Sequence, residues 1–236
     1  MIIFLNGVAT SGKSSIINEL QKLASYPIMK LGVDNFLDMM PSEYYGWGAK
    51  AKEGIQFVRE EDENGPITRV YNGDFGRAVL HTIPPVVAKM SSQHLNIAVD
   101  EVLFYDYYLT EYTKAFRGQR AYCIGIHCEL EELIRREQKR GGFSIGLGRD
   151  QIDKVHGPTR YYDLEIDTTH TSSTDCAKQI LKYIAETPNP EGFKKLEVAF
   201  GLMEEKPSTN EVINNAISHE SELDKTVELF SNKDRG

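Results

Sequence analysis

The chain has 236 residues, 40% of them hydrophobic and 26% charged, the make-up of a folded domain with at most an appendage. Its 27 basic and 35 acidic residues leave a formal charge of −8, which disfavours a general nucleic-acid partner. No apolar run approaches the ~20 residues that cross a bilayer, and the opening MIIFL is too short and lacks the basic flank of a secretory leader.

A cytoplasmic protein without membrane contact is therefore expected, with secretion by a route lacking an N-terminal signal left open. Cys123, Cys128 and Cys176 are odd in number and lack metal or redox spacing, so they read as buried reduced thiols. The six histidines show no metal-ligand spacing either; only His170, just beyond a strand, is kept as a candidate.

Ile2–Leu5 reads as a short buried strand, and Ser11–Ala24 as a helix with Ile16, Ile17, Leu20, Leu23 and Ala24 on one face. Between them stands Gly7-Val8-Ala9-Thr10-Ser11-Gly12-Lys13-Ser14, a GxxxxGKS phosphate-binding loop in the strand–loop–helix context its mechanism demands. The glycines let the backbone N–H groups curl around phosphate oxygens, and the helix N-terminus adds a favourable dipole. Gly7, Thr10, Ser11, Gly12, Lys13, Ser14 and Ser15 are thus the expected nucleotide contacts. Lys13 is expected on the β- and γ-phosphates, and the Ser14 hydroxyl on Mg²⁺.

Residues 28–33 form a second strand ending on Asp34, followed by a short helix over 35–40 that Pro41 stops. At a strand's carboxyl edge Asp34 has two readings: a cap for that helix, or a base that takes the proton of an attacking hydroxyl. The stretch from Ser42 to Asp74 reads as an excursion built on a hairpin, with Asn64-Gly65 as its turn. Phe75–Met90 reads as a helix perturbed at Pro84-Pro85.

Residues 95–99 make a third core strand, leading into Asp100-Glu101. Asp100 sits where a carboxylate meets Mg²⁺ beside the loop, and Glu101 where it orients the substrate. Short helical 111–116 follows, then strand 121–126, charged helix 129–140, glycine-rich 141–148, a helix from Asp150 to near His156, strand 163–166 and helix 173–185. Thr187-Pro188-Asn189-Pro190 reads as a linker into an extension that is helical or partly disordered.

Strands alternating with helices imply an α/β, three-layer P-loop NTPase of nucleoside-monophosphate-kinase type, with a five-stranded parallel sheet. Residues 1–186 are the expected kinase domain, with 39–75 as the acceptor-binding excursion and 129–156 as the lid. Residues 187–236 are the extension, with room for a homo-oligomer or protein partner. Tyr44, Trp47 and Phe57 are the expected flat walls of the acceptor site.

Several stretches together resemble the chloramphenicol phosphotransferases, small P-loop kinases: IIFLNGVATSGKSSI at the start, LGVDNFLDMMP over 31–41, GIQF over 54–57, VDEVLF from Val99, GIHC over 125–128, VH at 155–156 and YDLEIDTTH over 162–170. The resemblance implies ATP- and Mg²⁺-dependent phosphorylation of a small-molecule hydroxyl, with the aspartate of GVD, Asp34, as general base. It also implies an arginine-rich lid. Arg136 and Arg140 match that pattern; its last arginine is Phe143 here, and Arg149 is the expected substitute. Two other readings stay beside this one: a kinase of a nucleotide or RNA 5′-hydroxyl on the same scaffold, and a nucleotide-dependent binding or effector module with little transfer.

Overall fold

The computed structural model describes residues 1–142 and 145–202. In chain order the elements are β1 (Ile2–Gly7), α1 (Lys13–Leu23), β2 (Met29–Gly32), α2 (Val33–Leu37), β3 (Tyr45–Gly46), β4 (Ile55–Asp62), β5 (Gly65–Asn72), α3 (Asp74–Ser92), β6 (Ile97–Glu101), α4 (Asp106–Ala115), β7 (Ala121–His127), α5 (Leu130–Arg140), α6 (Leu147–Val155), β8 (Leu164–Asp167), α7 (Ser173–Glu186) and α8 (Gly192–Ala199). Two sheets result. The main one has five strands in the order β2-β6-β1-β7-β8, all parallel. The small one, β3-β4-β5, carries the excursion, with β4 and β5 antiparallel.

Alternation along β1 explains the three layers. Successive side chains of a strand point to opposite faces, so a strand covered on both sides must be apolar throughout. Ile2 and Phe4 enter a core with α3, α4 and α8, while Ile3 and Leu5 enter a second core with α1 and α7. Phe4 is wholly buried and meets Tyr112, Phe116 and Phe193 at ring-centroid distances of 4.8, 6.0 and 5.6 Å.

Three expectations shift. Helix α3 runs unbroken through Pro84 and Pro85, with Ile83 and Val87 locked into the core on either side of them; packing of that face offsets the hydrogen bonds the prolines remove. Asp34 lies inside α2 rather than at the strand end, because β2 already stops at Gly32. The boundary at residue 186 falls within a compact unit, Met1–Phe200, because Phe193 and Leu196 of α8 are buried in the same core as Phe4. The extension from residue 203 onward lies outside the described residues, as do Phe143 and Ser144.

The three cysteines are free and buried. Among the described residues no helix is long and apolar enough to cross a membrane.

Candidate active site

The site is built at the carboxyl edge of the main sheet, where the parallel strands β1, β2 and β6 end together. This is the edge at which open α/β sheets take ligands. The loop from β1 enters α1 through Gly12, whose φ of 99° is a left-handed conformation that a side chain resists. Lys13, nearly buried, donates through Nζ to the carbonyls of Gly7 (3.0 Å) and Val8 (2.9 Å) and lies 3.6 Å from Asp100 Oδ1. Ser14 Oγ donates to Asp100 Oδ2. Ser11 Oγ is buried with no hydrogen-bond partner among the described residues. Gly7, at the end of β1, keeps close against β7.

Above this group opens a cavity of about 610 Å³. Thr10, Gly12, Lys13, Ser14, Ser15, Asp34, Asp100, Glu101, Arg136 and Arg140 all line it, so the structure brings most of the expected site residues together. A second cavity of about 270 Å³ adjoins it. Thr10, Gly12, Ser15 and Arg136 border both, and Thr168, Thr171 and Ser173 close the smaller one.

Asp34 is not the side chain that caps α2. Asn35 Oδ1, not Asp34, accepts the N–H of Gly32 at the start of α2, at 2.9 Å. The Asp34 carboxyl forms no hydrogen bond or ion pair among the described residues and is exposed on the cavity wall. Desolvation by the surrounding cavity walls, reinforced by the negative Asp100, raises its pKa above the usual aspartate value, and Arg140 and Lys13 oppose the rise.

Glu101 is buried in β6 beside Asp100 and accepts a hydrogen bond from Tyr112 Oη at 2.7 Å. Burial pushes its pKa up to about 8, and Asp100 adds to the rise.

The arginines separate into three roles. Arg136 is held by Glu132 (2.7 Å), the carbonyl of Thr168 (2.6 Å) and the carbonyl of Ser11 (3.2 Å), which fixes it against the head of α1. Arg140 lines the cavity and makes no ion pair among the described residues. Arg149 does not reach the cavity. Its guanidinium is clasped by Asp62 (2.7 and 2.8 Å) and by the carbonyls of Gly65 (2.5 Å) and Pro66 (3.1 Å), on the hairpin. The expected replacement for the lid arginine is thus committed elsewhere, to a strong carboxylate partner.

Two of the expected aromatic walls also stand apart. Tyr44 packs edge-on against Phe75 at 5.3 Å, and Trp47 is largely exposed beneath the Arg59 guanidinium at 5.2 Å. Phe57 does line the cavity, joined by Tyr45, Ile55 and Val70 from the excursion and by Leu80, Ile83 and Tyr108 from α3 and α4. Gln151, on α6, accepts the N–H of Ala9 at 2.8 Å. Neither Gln151 nor the Glu101–Tyr112 pair is visible in sequence spacing, since their partners are 142 and 11 residues away in other elements. His170 is exposed and borders neither cavity.

The chain and its fold have relatives among known proteins. The family model described as chloramphenicol phosphotransferase-like protein matches residues 1–185. The chain belongs to this family. Rv2636 of Mycobacterium tuberculosis strain H37Rv, provisionally named an O-phosphotransferase, is 26% identical over 210 residues, which cover 84% of this chain and 88% of the relative.

Among solved structures, a sugar kinase from Janibacter sp. HTCC2649 superposes with a TM-score of 0.53 at 15% identity, over 79% of this chain and 95% of that one. The Mycobacterium tuberculosis APS kinase CysC, solved in complex with AMPPNP and APS, gives 0.52 at 14% identity, over 78% and 96%. A gluconokinase from Sinorhizobium meliloti 1021 gives 0.52 at 18% identity, over 78% and 91%. These three show the fold, a P-loop kinase fold. Family and fold together make this chloramphenicol phosphotransferase-like chain a kinase-type phosphotransferase.

Proposed function

We propose that the protein transfers the γ-phosphate of ATP to a hydroxyl of an uncharged, largely apolar small molecule, with Asp34 as general base. The observation that carries the reading is the Asp34 carboxyl, without a hydrogen bond or ion pair among the described residues, on the wall of the same cavity as Lys13, Ser14 and Asp100. The acceptor hydroxyl oxygen attacks the γ-phosphorus while its proton passes to the Asp34 carboxylate. The bond from the γ-phosphorus to the bridging oxygen breaks, and ADP leaves with the electron pair.

Lys13 would leave the carbonyls of Gly7 and Val8 for the β- and γ-phosphates. Arg140, at the cavity wall and without an ion pair among the described residues, is the cation proposed to meet charge that grows on the moving phosphoryl group. The smaller cavity beside Arg136 and Thr168 suits the nucleotide base. Ser14 Oγ and Asp100 present hard oxygen donors beside the loop, a set that fits Mg²⁺. Magnesium, when bound, would neutralise charge on the β- and γ-phosphate oxygens.

The acceptor class follows from the lining. The cations on the large cavity are Lys13, Arg136 and Arg140. The walls from β4, β5, α3 and α4 contribute apolar and aromatic side chains, with Asn72, Glu101 and the tyrosine hydroxyls as the polar points. The test is label transfer from γ-labelled ATP into a fractionated metabolite extract. Labelled products derived from neutral, organic-soluble alcohols support the reading. Transfer confined to sugar acids, nucleotides or oligonucleotides contradicts it.

A further inference from the structure

Helix α6 touches the phosphate loop on one side and the excursion hairpin on the other, and nothing in the transfer chemistry requires either contact. On the loop side, Gln151, almost fully buried, holds the N–H of Ala9, a loop donor. On the hairpin side three kinds of contact act together. Arg149 Nη2 donates to both carboxylate oxygens of Asp62, at 2.7 and 2.8 Å. Asp150 lies 3.7 Å from Arg69 Nε. The Gly146 carbonyl, just before the helix, accepts the N–H of Thr68 at 2.9 Å, extending the pairing of β5 by one bond.

Gly146 is built for that approach. Its φ is 86°, and a Cβ there would lie 2.8 Å from the Thr68 nitrogen. The hairpin so held is the one whose base, Ile55, Phe57 and Val70, walls the acceptor side of the cavity.

We propose that α6 is a strut that couples occupation of the phosphate loop to the position of the acceptor wall, with Gln151 and Arg149 as its positioning residues. It rests on the nucleotide reading above. When phosphates draw the loop amides inward, the Ala9 contact shifts or tightens, α6 follows through Gln151, and the clasp at Asp62 and Arg69 carries the hairpin with it. The acceptor wall is then completed only after the nucleotide is in place, which keeps the γ-phosphate from water until an acceptor can bind.

Hydrogen exchange of the full chain with and without the non-hydrolysable analogue AMP-PNP and Mg²⁺ tests this. In the wild type, amides of the loop and amides of residues 55–72 are both expected to slow on binding, the latter roughly tenfold, within the usual range of coupling between sites. The double variant Asp62→Asn/Arg69→Gln alters exposed side chains of the hairpin only. It is expected to keep the slowing at the loop and to lose it at the hairpin, while Asp62→Glu/Arg69→Lys restores it.

A purely structural role would change hairpin exchange equally with and without AMP-PNP, and that result overturns the proposal. So does a wild type in which the loop slows and the hairpin does not. If neither segment responds, the nucleotide reading itself fails, and the coupling with it.

Discussion

Lys13 Nζ lies 3.6 Å from Asp100 Oδ1 while it donates to two carbonyls of its own loop. The ammonium is stored at the site, compensated by a carboxylate and by backbone oxygens, so its burial is offset and its charge is ready for phosphate. Replacing Lys13 by Met, of similar length and without charge, is expected to lower transfer by roughly 10²- to 10³-fold, the usual cost of losing one preorganised donor. Steady-state label transfer measures it.

The two cavity arginines are expected to divide their effects. Arg136 is locked to Thr168 and Ser11 beside the smaller cavity, so Arg136→Ala should weaken AMP-PNP binding. Arg140 has no such anchor among the described residues, so Arg140→Ala should lower kcat by roughly 10²-fold or more while AMP-PNP affinity stays within a few-fold. Calorimetric titration beside turnover separates the two.

Glu101 makes a stability prediction. Its carboxyl titrates near 4.5 when exposed and is raised to about 8 in the folded chain. Between those values the folded state holds a proton that the unfolded state has lost, so stability falls as pH rises through that window. Glu101→Gln keeps the shape and removes the titration. Urea midpoints should fall from pH 5 to pH 8 more steeply in the wild type than in the variant.

Helix α8 should behave as core. Phe193 stacks edge-on with Phe116 at 5.1 Å and is 6% exposed. Phe193→Ala is expected to cost about 3–5 kcal/mol, the range for truncating a buried aromatic. Urea unfolding reads it, and a cost below ~1 kcal/mol would place α8 outside the core.

The phosphate end of the site is legible in the sequence because it is local. Gly7 to Ser15 is one contiguous stretch, Asp34 comes two residues after β2, and Asp100 sits at the end of β6. The acceptor wall is not. Leu80 and Ile83 recur at helical spacing with Val87, a pattern that reads as ordinary core, and it takes the tertiary fold to show that they line the cavity.

Composition misleads at Tyr44 and Trp47: Tyr44 packs on Phe75, and Trp47 lies largely exposed against Arg59. Arg149 misleads through proximity in sequence, because its partner Asp62 is 87 residues away. The end of the domain is obscured by Pro188 and Pro190, which read as a linker although α8 returns to the core just after them.

Desolvation by the surrounding cavity walls raises the pKa of Asp34, and a base must be ionised to accept a proton. The acid limb of kcat/KM is therefore expected above the usual aspartate range, with activity rising as pH passes through it. A limb at or below the ordinary aspartate value would remove Asp34 as the group observed.

The role proposed for Asp34 is to take the acceptor's proton on its carboxylate. Its most direct test compares wild type with Asp34→Asn, in label transfer from γ-labelled ATP to the acceptor found in the extract and in AMP-PNP binding. Transfer is expected to fall roughly 10²- to 10⁴-fold, the usual contribution of a general base, with AMP-PNP affinity within a few-fold of wild type. Wild-type transfer in Asp34→Asn would contradict the account.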